Sequence, residues 1–172
     1  MQESVANNSK RYLTLTLGEA SFAIDIDVVR EILDYTDITR IPQALPFMRG
    51  VVNVRGAAVP VVDLAQKLGL GEVKRTINTR IVIMEVTHDG VPAVIGALAD
   101  SVREVLELDA DSIAPPPQLG SQGKTELLRG IGTHDGHFIL VLDADRVFAS
   151  DELLNMADVV ASTPETAIAA QS

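Results

Sequence analysis

Tyr12-Leu13-Thr14-Leu15-Thr16-Leu17 alternates polar and apolar side chains, the period-two pattern of a strand buried on one face. Gly18-Glu19-Ala20-Ser21 supplies a turn, and Phe22-Ala23-Ile24-Asp25-Ile26 returns as a second strand. The spacing of Val28, Val29, Ile32 and Leu33, with Asp27 ahead of them as a cap, predicts a short helix over 28–33. Ile38 to Ile41 reads as another short strand, and Pro42 and Pro46 bracket an irregular link. Val51 to Val54 and Ala57 to Val62 flank a tight turn at Arg55-Gly56, and Asp63 caps a helix that stops at Gly69. Gly71 to Thr79 is a polar connection. It leads into a hairpin over Arg80–Val86 and Val91–Leu98 around His88-Asp89-Gly90. Asp100 then opens Val102-Arg103-Glu104-Val105-Leu106, an echo of Val29-Arg30-Glu31-Ile32-Leu33 and by the same spacing a second short helix. Pro115-Pro116-Pro117 stiffens an exposed link that reads as mobile to Gly123. A final helix runs from a Ser150 cap to about Val160.

The central hairpin has a twin. Arg49 matches Arg129, Gly50 matches Gly130, Gly56 matches Gly136 and Asp63 matches Asp143, without a gap. The twin carries Asp135-Gly136 at its tip, the ordinary chemistry of a tight turn, where the first hairpin carries Arg55-Gly56. A long cation does nothing for a reversal, so Arg55 is the first candidate for a functional residue. Each half of the chain thus reads hairpin, short helix, link, hairpin, short helix. A duplicated set of short strands without long helices predicts two similar small β-barrels, which also dispose of the edges that invite aggregation.

Composition narrows the chemistry. The 172 residues are 47% hydrophobic but only 3% aromatic, so the interior is aliphatic. There is no cysteine, which removes disulfides, thiolate metal sites and thiol nucleophiles. A formal net charge of −10 opposes sequence-independent nucleic-acid binding and anionic membranes. No apolar run approaches the ~20 residues of a membrane-spanning helix. These features, with a polar start that lacks a signal core, predict a soluble cytoplasmic protein.

His134, Asp135 and His137 are the candidates for a metal site, but histidines beside an Asp-Gly turn are ordinarily solvated. There is no nucleophile elbow and no phosphate-cradling loop. Asp25, Asp27, Asp63, Asp100 and Asp143 stand at strand-to-helix junctions, where capping accounts for them. No catalytic constellation emerges, and no cofactor or metal is expected. Glu31 is read either as part of a solvated helix face or as the partner that orients Arg55. Val28, Val29, Ile32 and Leu33 are core residues or, in part, one wall of a groove between the barrels. Val102 and Val105 would then form the facing wall, and the groove would suit a partner's amphipathic helix.

Gly50-Val51-Val52-Asn53-Val54-Arg55-Gly56, followed by Val59-Pro60-Val61-Val62-Asp63-Leu64, resembles the CheW family of bacterial chemotaxis coupling proteins. Phe22-Ala23-Ile24-Asp25-Ile26, Val29-Arg30-Glu31-Ile32 and Thr39-Arg40-Ile41-Pro42 extend the resemblance over residues 10–155. It implies an all-β fold with short helices and a C-terminal helix, built as two intertwined SH3-like five-stranded barrels. The first barrel would span about 19–80 and the second about 10–18 plus 81–149, with a flexible arm over 1–9 and a flexible tail over 161–172. It further implies a non-catalytic scaffold joining methyl-accepting receptors to the histidine kinase CheA. Such a protein is a monomer in isolation and is recruited to membrane arrays through its partners.

By resemblance, Ile38, Ala58, Arg55 and Gly56 face the kinase. Val29, Glu31, Ile32 and Arg55 face the receptor, and the groove reading adds Val102 and Val105 to that surface. Leu119 matches an aromatic position through which these proteins close rings with the kinase; leucine there is a departure from the family pattern. The same domain also ends the kinase and begins CheV-type adaptors, but 172 residues leave no room for a kinase or receiver domain, which favours a stand-alone coupler. Two other functions remain open on the sequence: a coupler for twitching motility, biofilm or another chemosensory pathway, and a small-molecule- or metal-binding β-barrel.

Overall fold

A computed structural model describes residues 9–88, 90–116 and 127–148. The first half supplies β1 (Ser9–Leu17), β2 (Ala20–Asp25), β3 (Val29–Asp34), β4 (Met48–Val54), β5 (Ala57–Asp63) and the one-turn helix α1 (Leu64–Lys67). The second half repeats the series with β6 (Arg80–His88), β7 (Val91–Ala99), β8 (Ser101–Asp109), β9 (Leu128–His134), β10 (His137–Leu142) and α2 (Ala144–Val147). Two five-stranded sheets result, ordered β8-β1-β2-β10-β9 and β3-β6-β7-β5-β4. The expected all-β pair of intertwined barrels is therefore the architecture.

The division between them differs from the expected one. β2 stays with β1 in the sheet of β8, β9 and β10, and the β6–β7 hairpin belongs with β3, β4 and β5. The physical reason is that each half splits after its first hairpin: β1 and β2 join β8, β9 and β10, while β6 and β7 join β3, β4 and β5. Directly after β2, a single 3₁₀ turn at Ile26–Val28 sends β3 across to pair with β6. Directly after β7, β8 crosses back to pair with β1. Each sheet is then closed by a parallel contact, Phe22 with Leu140 on one side and Val61 with Gly96 on the other.

Both short helices expected after the first hairpin of each half are strands. Val29–Asp34 alternates half-buried and exposed along its length, and its β-branched Val29 and Ile32 suit a pleated surface. The segment is too short for its apolar spacing to separate the two periods, and pairing with β6 decides the matter. The same holds for 102–106, which lies within β8. Asp25, rather than Asp27, caps the intervening turn, its carboxylate accepting from the Asp27 amide at 3.0 Å. Asp100 caps nothing; it accepts from the Gly18 amide at 2.6 Å and so fastens the β7–β8 junction to the β1–β2 turn. Residues 38–41 make one bridge, Thr39 with Val51, instead of a strand. Ser9 of the expected arm already belongs to β1. The final helix, the tail and most of the triple-proline link lie outside the described residues.

The duplication extends to backbone detail. Thr39 and Val51 exchange two hydrogen bonds of 2.9 and 2.8 Å, and Ala114 and Ile131 do the same in the second half at 2.9 and 2.8 Å. Gly50 and Gly130 lie at these two crossings. A Cβ on Gly50 would fall on the Thr39 carbonyl oxygen, and one on Gly130 would fall on the Ile113 side chain and the Ala114 carbonyl oxygen. Asp63 and Asp143 cap α1 and α2 by accepting from the Gln66 and Arg146 amides, at 3.1 and 3.3 Å. The matched residues are thus those that the strand crossing and the strand-to-helix turn require.

One buried cluster draws on both sheets: Leu15, Phe22 and Ile24 meet Val61, Ile81, Met84, Ile95 and Leu98, with Phe148 among them. A smaller one gathers Tyr12, Ala23, Leu108, Ile139 and Val141 in the first sheet. The aliphatic interior expected from the composition is present, with Tyr12, Phe22 and Phe148 as its buried aromatic members.

Gly50→Ala is expected to cost about 3 kcal/mol or more, because the obstacle is backbone and φ there is +142°. Gly136→Ala, at φ +79° in open space, is expected to cost only about 1–2 kcal/mol. Urea unfolding of the two variants checks the order, and equal losses would refute the crossing as the reason for Gly50.

Candidate functional site

The β4–β5 hairpin ends at the pair Val54–Ala57, leaving Arg55 and Gly56 as a two-residue turn with φ of +53° and +88°. Both central residues at positive φ make this a type I′ turn, the reversal that matches the twist of the strands. The twin tip has the same form, Asp135 at +53° and Gly136 at +79°. Aspartate enters the left-handed region readily because its short side chain bonds locally; arginine has no such device.

Arg55 reaches Glu31 with both terminal nitrogens, donating to Oε2 at 2.9 Å and to Oε1 at 3.4 Å. The Arg55 side chain is 80% exposed and that of Glu31 24%. The carboxylate is held by β3 and the guanidinium lies over it in solvent, so the pairing considered for Glu31 on sequence grounds is present. Its frame is a strand rather than a helix.

An open concavity of mixed character lies beside this pair, lined by apolar Val28, Val29, Val54, Ala58, Pro92 and Val94 together with Asp27, Thr87 and charged side chains. A second ion pair, Arg30 with Glu85, stands at the same concavity, Glu85 coming from the neighbouring β6. A concavity with apolar patches and two ion pairs in its lining can accept a partner side chain and set its orientation by charge.

Among the residues expected to serve partners, Val29, Glu31, Arg55 and Ala58 line this concavity together, with Gly56 exposed next to Arg55. Ile32 is on the same strand but does not line it, and is 41% exposed. Ile38 is half-buried at the crossing, its side chain beside Gly50. Val102 and Val105 do not form the facing wall that a helix at 102–106 would have provided. As part of β8 they pair with β1, Val102 packs on the main core and Val105 is 47% exposed. Leu119 lies outside the described residues.

The Arg30–Glu85 pair, Pro92 and Val94 were not legible in the sequence. They join the site only through the β3–β6 and β6–β7 pairings, and nothing local marks them. Of the metal candidates, His134 Nε2 is 3.3 Å from Asp135 Oδ2, and His137 pairs across the strands with His134. Among the described residues no three His, Asp or Glu side chains gather as metal ligands.

Arg49, the other arginine of the hairpin, makes a useful contrast. Its Nε donates to Asp63 at 3.2 Å and its terminal nitrogen to the Val73 carbonyl. Asp63 is fully buried and also accepts from the Gln66 and Val73 amides at 3.1 and 2.9 Å. The carboxylate thereby ties β4, β5, α1 and the following connection into one knot. Val73 is itself buried, so the stretch expected as a polar connection is anchored to the core.

Removing one partner of a buried, hydrogen-bonded pair costs about 3–5 kcal/mol, whereas an exposed pair contributes about 0–1 kcal/mol. Asp63→Ala is therefore expected to lower the urea midpoint sharply, and Arg55→Ala to leave it nearly unchanged. A large stability loss in Arg55→Ala would make that arginine structural.

The model of the CheW-like domain matches residues 11–152. The chain is 32% identical to the chemotaxis protein CheW of Klebsiella aerogenes over 153 residues, covering 89% of this chain and 90% of that one. It is 30% identical to the chemotaxis protein CheW of Rhizobium meliloti over 148 residues, covering 86% and 93%. The crystal structure of the scaffolding protein TtCheW from Thermoanaerobacter tengcongensis superposes with a TM-score of 0.72 at 31% identity, covering 83% of this chain and 90% of that one. On these matches the chain belongs to the CheW-like domain family.

Proposed function

We propose that this chain is a chemotaxis coupling scaffold that links receptors to a CheA-type histidine kinase without catalysing a reaction. The observation that carries the mechanism is the exposed Arg55, held by Glu31 beside an open concavity. A cation fixed at one end by its strand-borne carboxylate and open to solvent at the other is built to meet another molecule. An exposed ion pair adds little to stability, so folding alone does not account for it.

Around that point the partner surfaces divide. Ala58, Arg55 and Gly56, with Ile38 at the base of the same barrel, form the face assigned to the kinase. Val29, Glu31 and Ile32 on β3, again with Arg55, form the face assigned to the receptor. Val102 and Val105 lie on the other sheet and belong to the receptor face only if the partner spans both sheets. Arg55 is shared by the two faces, which places it where binding of one partner can be felt by the other. A scaffold of this kind acts by holding two partners at high effective concentration and by letting receptor conformation bias the kinase.

Reconstitution of receptor signalling fragments, kinase and this protein tests the reading through kinase activity. Arg55→Ala is expected to abolish receptor-dependent activation while the protein stays folded by circular dichroism. Undiminished activation would remove the basis of the proposal. Glu31→Ala and Arg55→Ala are further expected to be non-additive in a double-mutant cycle on partner binding, since Glu31 acts by orienting Arg55. Additive losses would assign Glu31 a contact of its own.

A further inference from the structure

The Asn53 side chain does something at the hairpin tip that the strand ladder does not require. Its Oδ1 accepts a hydrogen bond from the Gly56 amide at 2.8 Å. That amide belongs to the peptide group joining Arg55 to Gly56, the central peptide of the turn. Its orientation fixes ψ of Arg55 and separates a type I′ from a type II′ reversal. A type II′ reversal calls for glycine at the first central position, which here is Arg55, so the hairpin is committed to type I′ and the Asn53 carboxamide reinforces that form. Without that bond the tip is free to loosen, and Arg55 can swing away from Glu31 while the Val54–Ala57 pair stays in place.

The twin hairpin supplies the comparison. It has the same turn with Asp135 in the left-handed position, and Thr133 stands where the first hairpin has Asn53. The residue that tolerates positive φ unaided is accompanied by threonine, and the residue that does not is accompanied by asparagine. Asn53 is exposed and paired with Ala58 across the ladder, so it has no packing duty that would explain it.

We infer that Asn53 is a positioning residue for Arg55: its carboxamide locks the central peptide of the turn and so holds the guanidinium over Glu31 in the orientation the partner meets. The inference rests on the coupling function proposed above and adds a residue to its mechanism. Asn53 fixes the backbone end of Arg55, and Glu31 fixes the charged end.

The test combines Asn53→Ala, Asn53→Asp and Arg55→Ala, using full-length protein and binding of the purified kinase and of a receptor signalling fragment. A hydrogen bond of this kind contributes about 0.5–1.5 kcal/mol, so Asn53→Ala is expected to weaken binding by about 2- to 10-fold. Asn53→Asp keeps the acceptor oxygen and is expected to restore affinity to within about 2-fold. In the Arg55→Ala background Asn53→Ala is expected to have no further effect. In parallel, hydrogen exchange followed by NMR should show the Gly56 amide protected in the parent and in Asn53→Asp, and unprotected in Asn53→Ala.

Equal losses from Asn53→Ala in both backgrounds would overturn the inference, since Asn53 would then touch the partner itself. Unchanged affinity, or failure of aspartate to rescue, would overturn it as well. If Arg55→Ala alone leaves binding intact, the coupling reading fails and the purpose assigned to Asn53 falls with it. The Gly56 amide would then still report whether the lock exists.

Discussion

Neither sheet can be completed by its own half of the chain, and this constraint governs the rest of the structure. β3 is made in the first half and pairs in the sheet of β6 and β7; β8 is made in the second and pairs with β1. The buried apolar side chains of both halves therefore lie in one cluster, and neither repeat can shed the other without opening its own sheet. Among the described residues four of the eight strand pairings are local hairpins and four join distant strands, so neither sheet is complete until both crossings are made. The crossings in turn explain the glycines. The links that follow β3 and β8 pass directly over Gly50 and Gly130, through Thr39 and Ala114, and leave no room for a side chain there.

The exchange also builds the candidate site. β3 carries Val29, Arg30 and Glu31 out of the first half and lays them against β6, which brings Glu85 to Arg30. The hairpin that carries Arg55 is tied to the same sheet through the parallel contact of β5 with β7. Arg55 and Glu31 consequently come from opposite edge strands of one sheet, with their meeting fixed by register. A partner that bound both would sense the relative position of those edges. That gives a coupling protein a physical handle, because a shift of β3 at one edge need not disturb the buried knot around Asp63.

Much of this was readable in the chain, and the failures have one cause. The tight turns at Arg55-Gly56 and Asp135-Gly136, the caps at Asp63 and Asp143, and the duplication linking them depend on a few adjacent residues, and each is found as read. The segments at 28–33 and 102–106 were misread because five or six residues with β-branched and charged side chains fit either period. Their state is decided by β6 and β1, which lie far away in sequence. The same ambiguity propagated to the site. As a helix, 102–106 would have brought Val102 and Val105 to a shared groove; as part of β8 it carries them elsewhere. Arg55 stands out because arginine does nothing for a tight turn, and its pairing with Glu31 is present, while the Arg30–Glu85 pair passes for ordinary surface charge.

Arg55 departs from local preference without any compensating gain in stability. An L-residue in the left-handed region costs about 1–2 kcal/mol, the exposed pair with Glu31 returns about 0–1 kcal/mol, and the twin hairpin shows that aspartate fits the same turn. Replacing the tip by its twin's chemistry would therefore stabilise the fold or leave it unchanged. A residue that breaks a local rule, recovers nothing in packing and faces solvent is better explained by what it contacts outside the chain. On that argument the two halves, alike at the Gly50 and Gly130 bridges and at the Asp63 and Asp143 caps, differ in the chemistry of the hairpin tip that carries Arg55.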